Sequence, residues 1–324
     1  MAVFTEVSFD EASRFVRRLA IGELSALRGI PSGIENTNYF VSTDRGEWVL
    51  TLFERLSAEQ LPFYLHLMRH LARKGLPVPE PRADAGGEIL HRLCGKPAAL
   101  VDRLRGSHQL APDAHHCAQL GELLARMHLA GQDFGMQQPN LRGLAWWVQT
   151  VPQVLPFIED AQRTLLSSEL AFQQELAASP AYAALPRGPV HADLFRDNAM
   201  FDGLPGRERL TGVLDFYFAG VDTFAFDVAV CLNDWCVDLE SGRGVDDRAE
   251  VLVAAYERVR PLSGVERRLL PALLRAAALR FWLSRLWDLH LPRDAPLLTP
   301  HDPAHFERVL RARIGAPWHP APAG

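Results

Sequence analysis

The hydrophobic pattern of the chain changes period near residue 105, and that change limits the folds open to it. Before it, short apolar runs are broken every few residues by glycine, proline or aspartate, the pattern of strands and tight turns. "ALRGIPSGIENTNYFVSTDRGEWVLTLFE" (26–54) reads as three β runs, separated first by the Gly29–Gly33 turn and then by Asp44-Arg45-Gly46. Ser57 and Gln60 have capping-box spacing and predict a helix to about Lys74, which Gly75 stops. "EILHRL" and "PAALVDRL" follow as two more strands around a Gly95-Lys96 turn. Beyond residue 105 apolar residues recur at helical spacing, first at Leu120, Leu123, Leu124 and Met127, and longest in "RRLLPALLRAAALRFWLSRLWDLHL" (267–291). Only "GPVHADLFRDNAMFDG" and "RLTGVLDFYFAG" interrupt the helices, as short strands and a turn. The expectation is an α+β, bilobal chain: residues 1–104 form a small antiparallel sheet with one helix, and residues 105–324 a larger, mostly helical lobe.

With 324 residues the chain is long enough for two such lobes. A net charge of −5 supplies no global basic field for nucleic acid or anionic membrane, and no apolar run reaches the ~18 residues of a membrane span. "MAVFTEVSFDEASRF" lacks the basic-then-apolar pattern of a secretory signal, so the expected location is the cytoplasm. Cys94, Cys117, Cys231 and Cys236 are scattered and read as reduced thiols. A Pro/Ala-rich tail after Ile314 reads as frayed.

"VHADLFRDNAMF" (190–201) places His191, Asp193 and Asn198 in the spacing H-x-D-x-x-x-x-N. Asp215 follows seventeen residues past Asn198, at the end of the apolar run "GVL". Any one of these could simply form a turn. As an ordered set they match phosphoryl transfer, where one carboxylate accepts a hydroxyl proton while an amide oxygen and a second carboxylate hold Mg²⁺ on nucleotide phosphates. His191 is read as bracing the loop through backbone hydrogen bonds.

On these stretches, with "SGIENTNYFVST", "GKPAALVDRLRG", "HHCAQLGELLARMH", "GVLDFYFAG", "LNDWC" and "RFWLSRL", the chain resembles the protein-kinase-like small-molecule kinases. These form the aminoglycoside phosphotransferase and choline kinase superfamily; within it the chain is similar to the homoserine kinases of proteobacteria, over about residues 22 to 313. The resemblance implies ATP and Mg²⁺ as cofactors, L-homoserine as acceptor, Asp193 as catalytic base, and Asn198 and Asp215 as metal ligands. It also implies a phosphate-covering turn that includes Gly29, Ser32 and Gly33, although Gly-Ile-Pro-Ser-Gly is not G-x-G-x-x-G. "PAALVDRL" would lead to the hinge that receives adenine. Asp227 either ties its helix to the catalytic loop or is a plain helix-start acid.

One departure matters. Where protein kinases carry a phosphate-binding lysine on the third strand, "WVLTLFE" has Thr51, and the only lysines are Lys74 and Lys96. Either an arginine neutralises the phosphates, or the Thr51 hydroxyl and backbone amides do so with Mg²⁺. A zwitterionic acceptor needs a cation for its carboxylate and oxygens for its ammonium. Asn233, Asp234, Trp235, Arg280, Trp282 and Arg285 are the acceptor candidates; for the arginines the competing reading is an interhelical salt bridge, and for the tryptophans a place in the core. The alternatives in function are the same chemistry on an aminoglycoside, choline, ethanolamine or another amino alcohol, and a nucleotide-binding module without turnover. The missing lysine favours that last reading; Asp193, Asn198 and Asp215 oppose it.

Overall fold

A computed structural model describes residues 4–31, 36–291 and 301–321. The chain divides into two compact units, one of residues up to Arg105 together with Gly212–Tyr217, the other of Gly106–Thr211 and the chain from Phe218 onward. A boundary drawn along the sequence does not anticipate that the Asp215 segment belongs to the first unit.

The first unit holds a five-stranded antiparallel sheet in the order β1-β2-β3-β5-β4. Its strands are β1 (Leu24–Gly29), β2 (Asn36–Thr43), β3 (Gly46–Phe53), β4 (His91–Leu93) and β5 (Lys96–Asp102). Thr43 pairs with Gly46, so Asp44 and Arg45 make the two-residue turn between β2 and β3. Leu93 pairs with Lys96, which moves the second turn to Cys94-Gly95; both residues have positive φ, as a twisted two-residue hairpin requires. Of "EILHRL", only the last three residues form a strand.

Two helices, not one, belong to this unit. α1 (Phe9–Arg18) starts from a capping box of Ser8 and Glu11, the same signal that the sequence carries at Ser57 and Gln60. At the second position the Gln60 side chain accepts the Ser57 N–H at 2.9 Å. There, however, α2 (Pro62–Arg73) begins only at Pro62, whose fixed φ and missing N–H suit the first helical position. Along β3, Trp48, Leu50 and Leu52 join Phe15 and Val16 of α1 in one core. The next residues over point to the other face, where Phe53 meets Tyr217 edge-on at 5.1 Å and Tyr64 of α2 meets it at 6.0 Å.

β6 (Ser107–His108), β8 (Ala199–Asp202) and β9 (Arg209–Val213, of which Gly212 and Val213 are counted with the first unit) form one small sheet, and in the second unit β7 (Arg187–Val190) pairs with β10 (Gly220–Thr223) in another. The helices are α3 (Ala114–Gly131), α4 (Leu144–Val154), α5 (Asp160–Ala177), α6 (Pro180–Ala183), α7 (Phe224–Trp235), α8 (Asp246–Glu257), α9 (Gly264–His290) and α10 (Ala304–Gly315). All twelve residues of α7 are buried, which a helix apolar nearly all round requires. Its three polar exceptions, Asp227, Asn233 and Asp234, must therefore each find a partner inside the protein. No helix among the described residues is long and apolar enough to cross a membrane.

Candidate active site

β7 ends at Val190, opposite Gly220 of β10, and the chain then turns through His191–Asn198 before β8. Ala192 sits at φ +63°, a left-handed conformation that costs a non-glycine residue about 1–2 kcal/mol. Asp227 holds it there. Its two carboxylate oxygens accept the N–H groups of His191 at 2.9 Å and Ala192 at 2.8 Å. The lone Asp227 is thus a loop tie and more than a helix-start acid.

The rest of α7 grips the same loop. Leu194 O accepts from Trp235 Nε1 at 3.0 Å and from Cys231 Sγ at 3.7 Å. Asp234 accepts the Arg196 backbone N–H at 2.8 Å and its Nε at 3.1 Å. Positions 227, 231, 234 and 235 are spaced four, three and one apart, so they share one helical face. Burial pushes the Asp234 carboxyl up, and Arg196 opposes it. With both ends of the loop held, Asp193 is left half-buried between them.

Asp227 is itself anchored from α3 and α8. His128 Nε2 lies 3.0 Å from its Oδ2, and His128 Nδ1 lies 2.7 Å from the Tyr256 hydroxyl. Arg260 donates to that hydroxyl at 3.0 Å, so the Tyr256 O–H donates in turn to Nδ1, and the neutral Nε2–H tautomer of His128 donates to the carboxylate. Burial pushes the His128 imidazole below its ordinary value, which keeps it neutral. Burial alone would raise Asp227; the donors from His128 and His191 outweigh it and hold the carboxyl below the usual range. His128, Tyr256 and Arg260 are the residues that the sequence reading missed. Their signal was a histidine four positions after Leu124, on the apolar stripe of α3.

Asn198 Nδ2 donates to the Asp193 carbonyl at 2.7 Å. With the nitrogen committed, the amide's other end is Oδ1, a hard oxygen that accepts no hydrogen bond among the described residues. Asp215, the other expected ligand, is an exposed carboxylate in the first unit, at φ +58°. An amide oxygen and a carboxylate are the donor types Mg²⁺ takes. Among the described residues no three of His, Cys, Asp and Glu gather to hold a metal ion.

Of the nucleotide-side expectations, Gly29 ends β1 opposite Tyr39, while Ser32 and Gly33 lie outside the described residues. Thr51 is buried in mid-strand, and its hydroxyl donates to Asn38 Oδ1 at 2.8 Å. Lys96 is ion-paired with Glu54 at 3.1 Å, and Lys74 is exposed at the end of α2.

The acceptor candidates separate cleanly. Asn233 is fully buried, donating to Leu274 O at 2.7 Å and accepting from Arg313 at 3.0 Å. Trp235 is fully buried on the loop, and Trp282 is fully buried within α9. Asp234 is spent on Arg196. Arg285 donates to Asp302 O at 2.9 Å and lies over the Phe306 ring. Arg280 alone turns to Asp193: Nη2 stands 3.6 Å from Oδ1, while the guanidinium stacks on Phe281 at 3.8 Å and faces Phe218 at 4.9 Å. Burial lowers its pKa to about 10, so it stays charged at neutral pH.

A braced loop presenting a carboxylate and an amide oxygen, with a buried cation beside the carboxylate, has the parts of a phosphoryl-transfer site. The model of the phosphotransferase enzyme family matches residues 26–262, and the chain belongs to that family. More particularly, the chain is 64% identical over 318 residues to a homoserine kinase of Polaromonas naphthalenivorans, covering 98% of this chain and 99% of that one. It is 57% identical to a homoserine kinase of Cupriavidus pinatubonensis, covering 97% and 96%. Among solved structures, an amicoumacin kinase in complex with AMP-PNP and Ca²⁺ superposes with a TM-score of 0.69 at 15% identity, covering 95% of each chain. That likeness speaks for the fold.

Proposed function

We propose that the protein transfers the γ-phosphoryl group of ATP to the side-chain hydroxyl of L-homoserine. The products are ADP and O-phospho-L-homoserine, in threonine biosynthesis in the cytoplasm. The carrying observation is the end-to-end identity of 64% with a protein named homoserine kinase. Asp193 accepts the hydroxyl proton as the new O–P bond forms and the bond from the γ-phosphorus to the bridging oxygen of ADP breaks. His191 holds the loop that carries Asp193: its N–H goes to Asp227, and its Nδ1 lies 3.3 Å from the Asp193 N–H. Asn198 and Asp215 are the proposed Mg²⁺ ligands; the ion, when bound, neutralises charge developing on the phosphates. Gly29, Ser32, Gly33 and Thr51 belong to the proposed nucleotide side, where the Thr51 hydroxyl serves the sheet through Asn38 and an arginine or backbone amides meet the phosphates.

A positive charge 3.6 Å from the proposed base suits an acceptor with a carboxylate and repels a polycationic aminoglycoside. The test is ADP release by the purified protein with L-homoserine, 3-aminopropanol, ethanolamine, choline and an aminoglycoside as acceptors. L-homoserine is expected to give the highest kcat/KM. A higher value for an amino alcohol or aminoglycoside would overturn the choice of acceptor and leave the phosphotransferase class standing.

A further inference from the structure

Three side chains on one face of α9 carry buried polar atoms without a hydrogen-bond partner among the described residues: Arg280 Nη2, Ser284 Oγ and Trp287 Nε1. Spacings of four and three bring them onto a single stripe. Buried donors are almost always paired in a folded protein, so three on one stripe mark a place where a partner from outside belongs; a fourth in the same two turns, Trp282 Nε1, lies on the opposite, fully buried face. Each of the three can donate, which calls for a ligand group rich in acceptor oxygens. The stripe begins beside Asp193, since Arg280 is the residue 3.6 Å from that carboxylate, a distance too long for a hydrogen bond between them.

A second cation converges from just ahead of α4. The Arg142 guanidinium lies over Trp146 at 4.4 Å and 6.0 Å from the Phe218 ring, which Arg280 faces at 4.9 Å. Trp146 in turn meets Trp287 at 6.3 Å. Arg142, Phe218, Ser284 and Trp287 are all half-buried, so the cluster has access to solvent, with the buried Arg280 at its base. Two guanidiniums about one aromatic ring, with an indole N–H and a hydroxyl alongside, suit a planar anion with two oxygens.

Resting on the kinase reading above, we infer that Arg280 and Arg142, with Ser284 and Trp287, form the subsite for the acceptor's carboxylate. It selects hydroxyl-bearing amino acids over amino alcohols of the same length. Arg285 takes no part, because its guanidinium is held by Asp302 and Phe306 on another side of α9.

Two variants test this, R280K and R142A, with three readouts: KM for L-homoserine, KM for ATP, and calorimetric binding of L-2-aminobutyrate, which keeps the amino-acid head and lacks the hydroxyl. Lysine keeps the charge and loses the two-pronged geometry, so R280K should raise the homoserine KM and the aminobutyrate Kd by about ten- to a hundred-fold. R142A should raise both by about three- to ten-fold. The KM for ATP should stay within about two-fold in both variants, and the KM for 3-aminopropanol, high with the parent, should rise far less than that for homoserine. An unchanged homoserine KM in R142A overturns the inference even where R280K is too unstable to assay. A parent that binds aminobutyrate, loses it in both variants and phosphorylates no hydroxy amino acid would sink the reading of homoserine as acceptor and keep the subsite.

Discussion

Asp193 is positioned chiefly through its backbone: its N–H lies against His191, its carbonyl accepts from Asn198, and the loop behind it hangs on Asp227, while its carboxylate oxygens take longer contacts from Asn198 at 3.4 Å and Arg280 at 3.6 Å. Substituting the side chain isosterically should therefore spare the loop's geometry while removing the proton acceptor and the negative charge beside Arg280. Asp193→Asn is expected to lower kcat by about 10²–10⁴ with the KM for ATP nearly unchanged. Steady-state rates decide it, and a variant that kept a tenth of the parent rate would remove Asp193 from the role of base. At this scale the spacing H-x-D-x-x-x-x-N was readable because its members belong to one short loop. Asn233 was not: its type suggested a polar site, whereas burial spends it on Leu274 and Arg313; for Trp235 it is the core reading that holds, with its N–H on Leu194.

Among elements, the closest approach that supports the site is that of α3 to α8. A Cβ at Gly121 would fall 2.1 Å from Leu252 O and 3.2 Å from Tyr256 N, so only glycine lets the two backbones meet there. Their contact carries His128 against Tyr256 and, through them, Asp227. Gly121→Ala is expected to destabilise the protein by about 1–3 kcal/mol through overpacking. Because the shift moves His128, kcat should fall as well. Gly135→Ala is the control, since a Cβ there meets nothing within 4 Å. Urea midpoints and kcat should separate the two; equal midpoints would show that α3 and α8 tolerate separation. The sequence marks both helices by period and caps, but an interior glycine in a good helix shows no reason for itself until its partner helix is known.

For the molecule as a whole, buried histidines set an acid limit. Burial pushes His91 in the first unit and His128 in the second below the ordinary histidine value of about 6.5. Between the folded values and that figure, the unfolded chain binds protons that the folded one does not. Stability must then fall as pH drops through the window below about 6.5, with a slope of at most about 1.4 kcal/mol per pH unit for each such group. His128→Gln keeps a donor for Asp227 and removes one titration. Its stability at pH 7 should be lower than the parent's, and its loss between pH 7 and pH 5 smaller. Thermal melts over that range check this; parallel curves for the two proteins would mean that His128 does not contribute to the slope.

Sequence alone determined what depends on near neighbours: the period change that separates sheet from helix, the turns at Asp44-Arg45 and Gly75, and the eight-residue loop around Asp193. Each rests on spacing within a turn or two, where backbone geometry leaves few choices. It missed α1, although Ser8 and Glu11 carried the signal, because four residues of capping pattern do not say which face will be covered. Tertiary structure alone decided that Asp227 would tie a loop some thirty-five residues before it, and that His128 would reach Asp227 across 99 positions. It also decided between Arg280 and Arg285. Both stand on one long helix five positions apart, and only the packing of Phe218 and Phe281 on one side and Phe306 on the other turns the first to Asp193 and the second away. Helical spacing fixes which residues share a face. Which face meets the catalytic loop is settled by burial against the rest of the fold, and no local pattern contains that.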